Sequence, residues 1–252
     1  MLSASPLLFI HGAHSDSRVW HQGFLHSFER RGLACQALDL PGHGARCRER
    51  PVEQLRLADY ASDLRHAAAA LGQPPVLVGH SMGGYLAQDF VLSGGRAAAL
   101  VLLASAPPQG MARDLLAFAL RHPWLAMRME YPGRETGLQR RQRIRASLMG
   151  PATPDATVDW VEGFLQRESP HALRELGMHA LPARPLEIPV FIAAGAKDKL
   201  FALGTQRGIA RAYGVPLHVE AAMGHMLPLE PGWPQLADAI AGFLDQGLPR
   251  NR

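Results

Sequence analysis

The chain has 252 residues, of which 47% are hydrophobic, enough to fill one large core, so a single α/β domain is the first expectation. The net charge of +4 comes without a Lys/Arg-rich tail, which argues against nucleic-acid binding. The two cysteines, Cys35 and Cys47, lack metal-site spacing, so we expect both to be free thiols. No apolar run reaches the length of a membrane span, so we expect a cytoplasmic protein without membrane insertion.

The first predicted strand is the apolar run at 7–10, which ends at His11-Gly12. A helix over 19–28 should follow, because its apolar residues recur at helical spacing and Gly32 suits a helix C-terminus. We expect His14, in the loop between them, to line a substrate pocket. The histidines of this segment do not have the spacing of a zinc site, and no metal site is predicted.

A second strand is predicted over 33–40, where the turn at 41–44 stops it. His43 in that turn has two interpretations: it lines the entrance to a site, or it belongs to a structural turn. An Ala-rich helical pattern then runs over 57–71, and Gly72 follows it.

A nucleophile motif comes next, in the run Gly79-His80-Ser81-Met82-Gly83. An apolar strand pattern at 75–78 precedes it and a helical pattern at 82–90 follows it, which together predict a nucleophile elbow. The elbow should hold Ser81 in a strained conformation and bring strand and helix so close that side chains at 79 and 83 would clash. The hydroxyl would then lie at a helix N-terminus, where N–H groups favour negative charge, while His80 points away from it. The alternative is a glycine-rich turn with an ordinary serine.

The alternation of strands and helices breaks after the next predicted strand, at 98–104. Residues 107–185 carry helix-like stretches between prolines but no comparable strand. We expect a helical cap at 107–185 over the C-terminal edge of the sheet, and an α/β core formed by 1–106 and 186–252. The alternative is two additional crossover helices with long loops.

The cap should provide the far wall of the substrate pocket. The candidate lining residues, with Met226 from the core, are Phe118, Trp124, Met127, Met129, Trp160 and Phe164. At helical spacing such residues also serve ordinary packing. The cap carries a basic run as well, which is either a solvated helix face or a site for an anionic partner, such as an acyl carrier protein or acyl-CoA. Its members are Arg134, Arg140, Arg141, Arg143 and Arg145.

The last two predicted strands, at 188–194 and 217–220, are each followed by a candidate catalytic side chain, and a helical pattern at 232–246 ends the chain. Asp198 follows the first strand and His225 follows the second. In a parallel sheet, reactive groups collect beyond the C-terminal ends of the strands. Singly, each is an ordinary loop residue, but the order Ser81, Asp198, His225 is that of a nucleophile, acid and base.

An oxyanion formed at the nucleophile needs hydrogen-bond donors. The first should be the backbone N–H of Met82, directly after Ser81, and the second the N–H of Ala13, in the loop after the first strand.

With these residues the chain resembles the α/β-hydrolase superfamily from Leu7 to its C-terminus. The matching segments are His11-Gly12, Asp39-Leu40-Pro41-Gly42-His43-Gly44, Gly79-His80-Ser81-Met82-Gly83-Gly84, Asp198 and Gly224-His225. The resemblance implies an α/β-hydrolase fold, with a mostly parallel, doubly wound sheet of about six strands and a helical cap insertion.

One departure from the family pattern and two comparisons with its branches refine this expectation. Family members usually have a β-hairpin before the His-Gly strand, whereas here that strand starts almost at Met1, which implies the compact form of the esterases and hydroxynitrile lyases. Those lyases typically carry a Lys directly after the catalytic His and a Thr in place of the Gly of the His-Gly pair. This chain has Met226 and Gly12 at these positions, which favours hydrolysis over cyanohydrin cleavage. Epoxide hydrolases and haloalkane dehalogenases use an Asp nucleophile, and Ser81 argues against both.

The resemblance implies a serine esterase that hydrolyses a small-molecule carboxylic ester through an acyl-enzyme, without a cofactor. Two alternatives stay open. One is a thioesterase or carrier-protein methyl esterase, and the other is a non-catalytic ligand receptor on a hydrolase fold.

Overall fold

A computed structural model describes residues 5–130 and 136–247, the side chains of 128–130 excepted. Within these residues six parallel strands form one sheet in the order β2-β1-β3-β4-β5-β6. The strands are β1 (Leu7–Ile10), β2 (Cys35–Leu38), β3 (Val76–His80), β4 (Ala99–Leu103), β5 (Val190–Gly195) and β6 (Leu217–Glu220). The predicted parallel sheet of about six strands is confirmed.

Ten α-helices accompany the sheet in the described residues. They are α1 (Phe24–Glu29), α2 (Leu57–Ala70), α3 (Met82–Leu92), α4 (Ala112–Arg121), α5 (Pro123–Glu130), α6 (Gly137–Leu148), α7 (Asp155–Phe164), α8 (Pro170–Met178), α9 (Leu203–Tyr213) and α10 (Trp233–Gly247). The prediction of one helix over 19–28 is wrong. A 3₁₀ turn at Ser17–Trp20 and α1 are separate, because Gly23 between them has a φ of 110°, which interrupts helical geometry. Helix α9 was not predicted.

Both faces of the sheet are covered by helices, as a doubly wound sheet requires. Alternate strand residues enter two separate cores, since successive side chains of a strand point to opposite faces. Phe9 and Val78 pack with residues of α1 and α10, whereas Leu8 and Leu77 pack with residues of α2, α3 and α9.

Five of the helices, α4 to α8, lie between β4 and β5, and the described residues of that segment contain no strand. Its division into a cap over a core remains an interpretation. Three arginines of the basic run contact α7 or the residues on either side of it: Arg140 donates to Leu165 O at 2.9 Å, Arg141 pairs with Asp159 at 2.5 Å, and Arg145 donates to Thr153 O at 2.7 Å. Arg134 lies outside the described residues.

Among the described helices, none combines the length and apolar character needed to cross a bilayer.

Candidate active site

The site lies where the strand order reverses. Strand β1 pairs with β2 on one side and with β3 on the other, so the chain leaves β1 in one direction and later returns on the opposite side. At such a switch point, the loops after the two strands separate and leave a crevice at their C-terminal ends. Ala13 follows β1 and Ser81 follows β3, so the topology brings the predicted oxyanion donor and the predicted nucleophile to the same crevice.

Ser81 occupies the apex of the sharp turn between β3 and α3. Its φ and ψ are 53° and −118°, a conformation that a non-glycine residue adopts only under strain. A Cβ atom at Gly79 would lie 2.5 Å from Gly83 O, and one at Gly83 would lie 2.2 Å from Ile10 O. The predicted clash at positions 79 and 83 is therefore confirmed, and the turn has the geometry expected of a nucleophile elbow.

Asp198 and His225 form a buried hydrogen-bonded pair. The distance from His225 Nδ1 to Asp198 Oδ2 is 2.8 Å, and both side chains are almost fully shielded from solvent. The other carboxylate oxygen of Asp198 accepts the backbone N–H groups of Leu200 at 2.8 Å and Phe201 at 3.1 Å. With Nδ1–H directed at Asp198, the Nε2 atom of His225 is the nitrogen left to act as a base.

His80 connects the turn at Ser81 to the loop after β6 that carries His225, called the histidine loop below. Its Nε2 donates to the carbonyl oxygen of His225 at 2.9 Å, and the two imidazole rings are 4.9 Å apart. The hydrogen bonds of the described residues do not include one between the Ser81 hydroxyl and His225. The hydrogen bond between Asp198 and His225 is thus present, whereas one between His225 and the Ser81 hydroxyl remains a prediction.

His80 was expected only to point away from Ser81, and its contact with the histidine loop was missed. It is 2% exposed, and burial lowers its pKa to about 3, with the nearby His225 adding to the effect, so it is neutral at physiological pH. Trp20 covers it with rings at 90° to one another.

Glu230 is a second residue that sequence reasoning missed. This buried carboxylate accepts the N–H groups of Gly224 at 2.8 Å and Gly150 at 2.6 Å, and so ties the histidine loop to the end of α6. His225 N also donates to Leu148 O at 2.8 Å. Because Gly150 and Glu230 are 80 residues apart, no local sequence pattern marks this contact.

The two predicted oxyanion donors lie on adjoining loops. A Cβ atom at Gly12 would be 2.9 Å from the Cβ of Ser81, so the loop after β1 passes directly beside Ser81. Met82 is the first residue of α3. Neither the Ala13 nor the Met82 amide donates to another group among the described residues, so both N–H groups are available for an oxyanion.

The loop after β1 also contacts a buried polar cluster around Glu168, which the sequence did not reveal. His43 is fully buried and pairs with Glu168 at 3.1 Å. It therefore does not line an entrance, and the structural-turn interpretation is the correct one.

The predicted pocket residues have different environments. Phe118, Phe164 and Met226 are buried, Trp124 is 60% and Met127 48% exposed, and His14 is also exposed. Trp160 is partly buried, and its Nε1 donates to Arg18 O at 3.3 Å. The side chain of Met129 is outside the described residues. That these residues line a pocket remains a prediction.

Two surface pockets of about 290 and about 360 Å³ lie elsewhere, one beside Arg56 and His179 and one between Asp114 and Thr205. In the described part of the chain, no three His, Cys, Asp or Glu side chains are grouped as metal ligands would be.

Comparisons with known proteins agree with this architecture. Residues 7–239 match the model of the alpha/beta hydrolase family. No curated protein matches the chain. Among solved structures, a thermophilic esterase from Thermogutta terrifontis is 20% identical with a TM-score of 0.77, over 99% of this chain and 92% of that one.

Two further structures are similar. An esterase from Exiguobacterium antarcticum is 16% identical with a TM-score of 0.76, over 98% of this chain and 94% of that one. MenH from S. aureus is 20% identical with a TM-score of 0.68, over 98% of this chain and 96% of that one. Identities this low establish the common fold alone. Because the family model spans most of its length, the chain belongs to the alpha/beta hydrolase family.

Proposed function

We propose that the protein is a serine hydrolase that cleaves carboxylic esters through an acyl-enzyme. The observation that carries the proposal is the buried Asp198–His225 pair, joined at 2.8 Å on a loop that His80 ties to the strained serine turn. Membership of the hydrolase family and the likeness to two esterase structures support it.

In the proposed reaction, the Ser81 hydroxyl oxygen attacks the ester carbonyl carbon while His225 Nε2 takes the hydroxyl proton. The carbonyl oxygen becomes an oxyanion, which accepts the N–H groups of Met82 and Ala13. The intermediate then expels the alcohol, which receives the proton from His225. Water activated by His225 attacks the acyl-enzyme, and the acid leaves as Ser81 regains its proton.

Asp198 holds the imidazole in the tautomer that leaves Nε2 unprotonated, and its negative charge stabilises the imidazolium formed during each step. The proposed reaction uses three side chains, two backbone N–H groups and water, so it requires no cofactor. A small-molecule ester is the proposed substrate. Three arginines of the basic run already contact protein groups, and nothing in their arrangement favours a carrier protein over a solvated face.

The test compares the wild-type protein with Ser81→Ala. We expect stoichiometric labelling of the wild type by a fluorophosphonate probe and turnover of p-nitrophenyl acetate. Ser81→Ala should remain unlabelled and lose at least about 10³-fold in turnover, because no other group replaces the nucleophile. Ser93→Ala, directly after α3, is the matched control and should behave as wild type, since its hydroxyl bonds only Phe90 O and the exposed Arg65 among the described residues.

Full turnover by Ser81→Ala would disprove the proposal. Labelling without turnover on any ester would indicate a ligand receptor. A panel of matched esters and thioesters, run on the same protein, decides between an esterase and a thioesterase.

A further inference from the structure

The linker at 165–169, between α7 and α8, is hydrogen-bonded to the loop that carries Ala13. Gln166 N donates to His14 O at 2.9 Å, and the Gln166 side chain donates to Ser15 O at 2.9 Å. In return, His14 N donates to a carboxylate oxygen of Glu168 at 3.2 Å. The main chain directly after Ala13 is therefore held from both sides by one short segment.

Glu168 has a donor at each of its two oxygens. Oε1 accepts the Tyr60 hydroxyl at 2.6 Å and the Ser169 N–H at 2.8 Å. Oε2 accepts His14 N–H at 3.2 Å and lies 3.1 Å from His43 Nε2. A backbone N–H thus faces each oxygen. Only a carboxylate offers acceptors at both ends, whereas an amide would turn its own N–H toward one of these donors.

Glu168 is charged as well as buried. Burial alone would raise the pKa of Glu168, but its contacts with His43, Tyr60 and Ser169 outweigh burial and lower that pKa to about 2. Burial would lower the pKa of His43, and the contact with Glu168 outweighs it and raises the pKa. Breaking one partner of such a buried pair leaves an uncompensated charge, which is strongly unfavourable.

The held residue is in an unusual conformation. His14 has a φ of 61°, in the left-handed region that favours glycine. For another residue this conformation costs about 1–3 kcal/mol and persists only where the surroundings enforce it. Here the hydrogen bond that His14 donates to Glu168 and the one that it accepts from Gln166 hold His14 in this conformation. The Ala13 N–H belongs to the peptide unit directly before the one that carries the His14 N–H. Its direction therefore depends on these hydrogen bonds.

We infer that Glu168 is a positioning residue for the oxyanion hole: by holding the N–H of His14 and pairing with His43, it aims the N–H of Ala13 at the developing oxyanion. The inference rests on the proposed function and deepens it. The hydrogen bonds of Glu168 in the described residues do not include one to Ser81. Its effect should appear in steps where the carbonyl oxygen is negatively charged, and not in ground-state binding.

The test is Glu168→Gln, with kcat calculated per active site titrated by the fluorophosphonate probe. We expect kcat for p-nitrophenyl acetate to fall at least tenfold while KM stays within twofold. Inhibition by a trifluoromethyl ketone, which forms an oxyanion on Ser81, should weaken by a similar factor.

Glu175→Gln is the matched control. Glu175 also accepts a backbone N–H, from Leu57 at 2.9 Å, but it lies on α8, and none of its hydrogen bonds reaches the loop after β1. Its kcat per site and inhibitor affinity should stay within twofold of wild type.

A Glu168→Gln protein with wild-type kcat per titrated site, even if fewer molecules fold, would overturn the inference, because a merely structural role changes only the folded fraction. Should this variant not fold, Tyr60→Phe removes one donor and keeps the carboxylate. We expect it to lower kcat per site about threefold, and an unchanged value would also overturn the inference. If the wild type itself neither labels nor turns over ester, the proposed function fails first.

Discussion

The two carboxylate oxygens of Asp198 have different partners, and this division explains how a loop aspartate can hold the histidine proposed as the base. One oxygen is occupied by the N–H groups of Leu200 and Phe201, which fixes the side chain. The other is directed at His225 Nδ1. The sequence predicts an acid at this position from its order in the chain, but the backbone donors that fix its rotamer become visible only in the fold.

Asp198→Asn should lower kcat by about 10³–10⁴-fold, by analogy with the same change in the serine protease triad. Because its oxygen is needed by the Leu200 and Phe201 amides, the new NH₂ group would face His225 Nδ1 and select the wrong tautomer. The measurement is kcat for p-nitrophenyl acetate at saturating substrate. Exposed Asp245→Asn is the control, and comparable kcat values for the two variants would contradict the assigned role.

At the scale of elements, the strand–turn–helix unit of β3 and α3 combines a local pattern with a long-range one. The glycines at 79 and 83 are readable as an elbow motif. The reason for Gly83 is tertiary, because the atom its Cβ would strike is Ile10 O, on the neighbouring strand β1. The elbow is therefore specified by the sheet as much as by its own sequence.

Gly83→Ala should destabilise the protein by at least about 3 kcal/mol, since a backbone carbonyl cannot move aside as a side chain can. Gly242→Ala, in the interior of α10, is the matched control. Its Cβ would have no neighbour within 4 Å, so this change should stabilise by about 0.5–1 kcal/mol through helix propensity. Urea unfolding of both variants measures the two free energies, and a Gly83→Ala protein as stable as wild type would refute the clash.

For the molecule as a whole, buried neutral histidines link stability to pH. His11 and His80 are both shielded, and burial lowers their pKa values to about 4 and about 3, from an ordinary 6.5. Below pH 6.5 the unfolded chain takes up protons that the folded chain resists, so stability is lost as pH falls from 6.5 toward 4. Glu168 adds a loss of the same sign below pH 4.5. His43, whose pKa is raised, contributes stability below pH 6.5 that is lost as pH rises through its folded pKa.

The free energy of unfolding should therefore drop between pH 7 and pH 5, by on the order of 2 kcal/mol for each of the two buried histidines. Urea titrations at several pH values measure it. His80→Asn removes one of the two titrating groups and should make the free energy of unfolding depend less steeply on pH. The exposed His66→Asn is the control. A free energy that stays constant from pH 7 to pH 5 would show that these imidazoles are not kept neutral by the fold.

Six parallel strands, the sharp turn at Ser81 and the chain order of the proposed nucleophile, acid and base could all be predicted from the sequence. These follow from apolar runs, glycine spacing and position after a strand, all of which are local properties of the chain. The side chains that hold this arrangement in place became visible only in the folded chain. His80, Glu168 and Glu230 act on backbone groups 145, 154 and 80 residues away, and such contacts exist only once the loops have met. A buried polar side chain is defined by its partners, and no local spacing encodes partners that are distant in the chain.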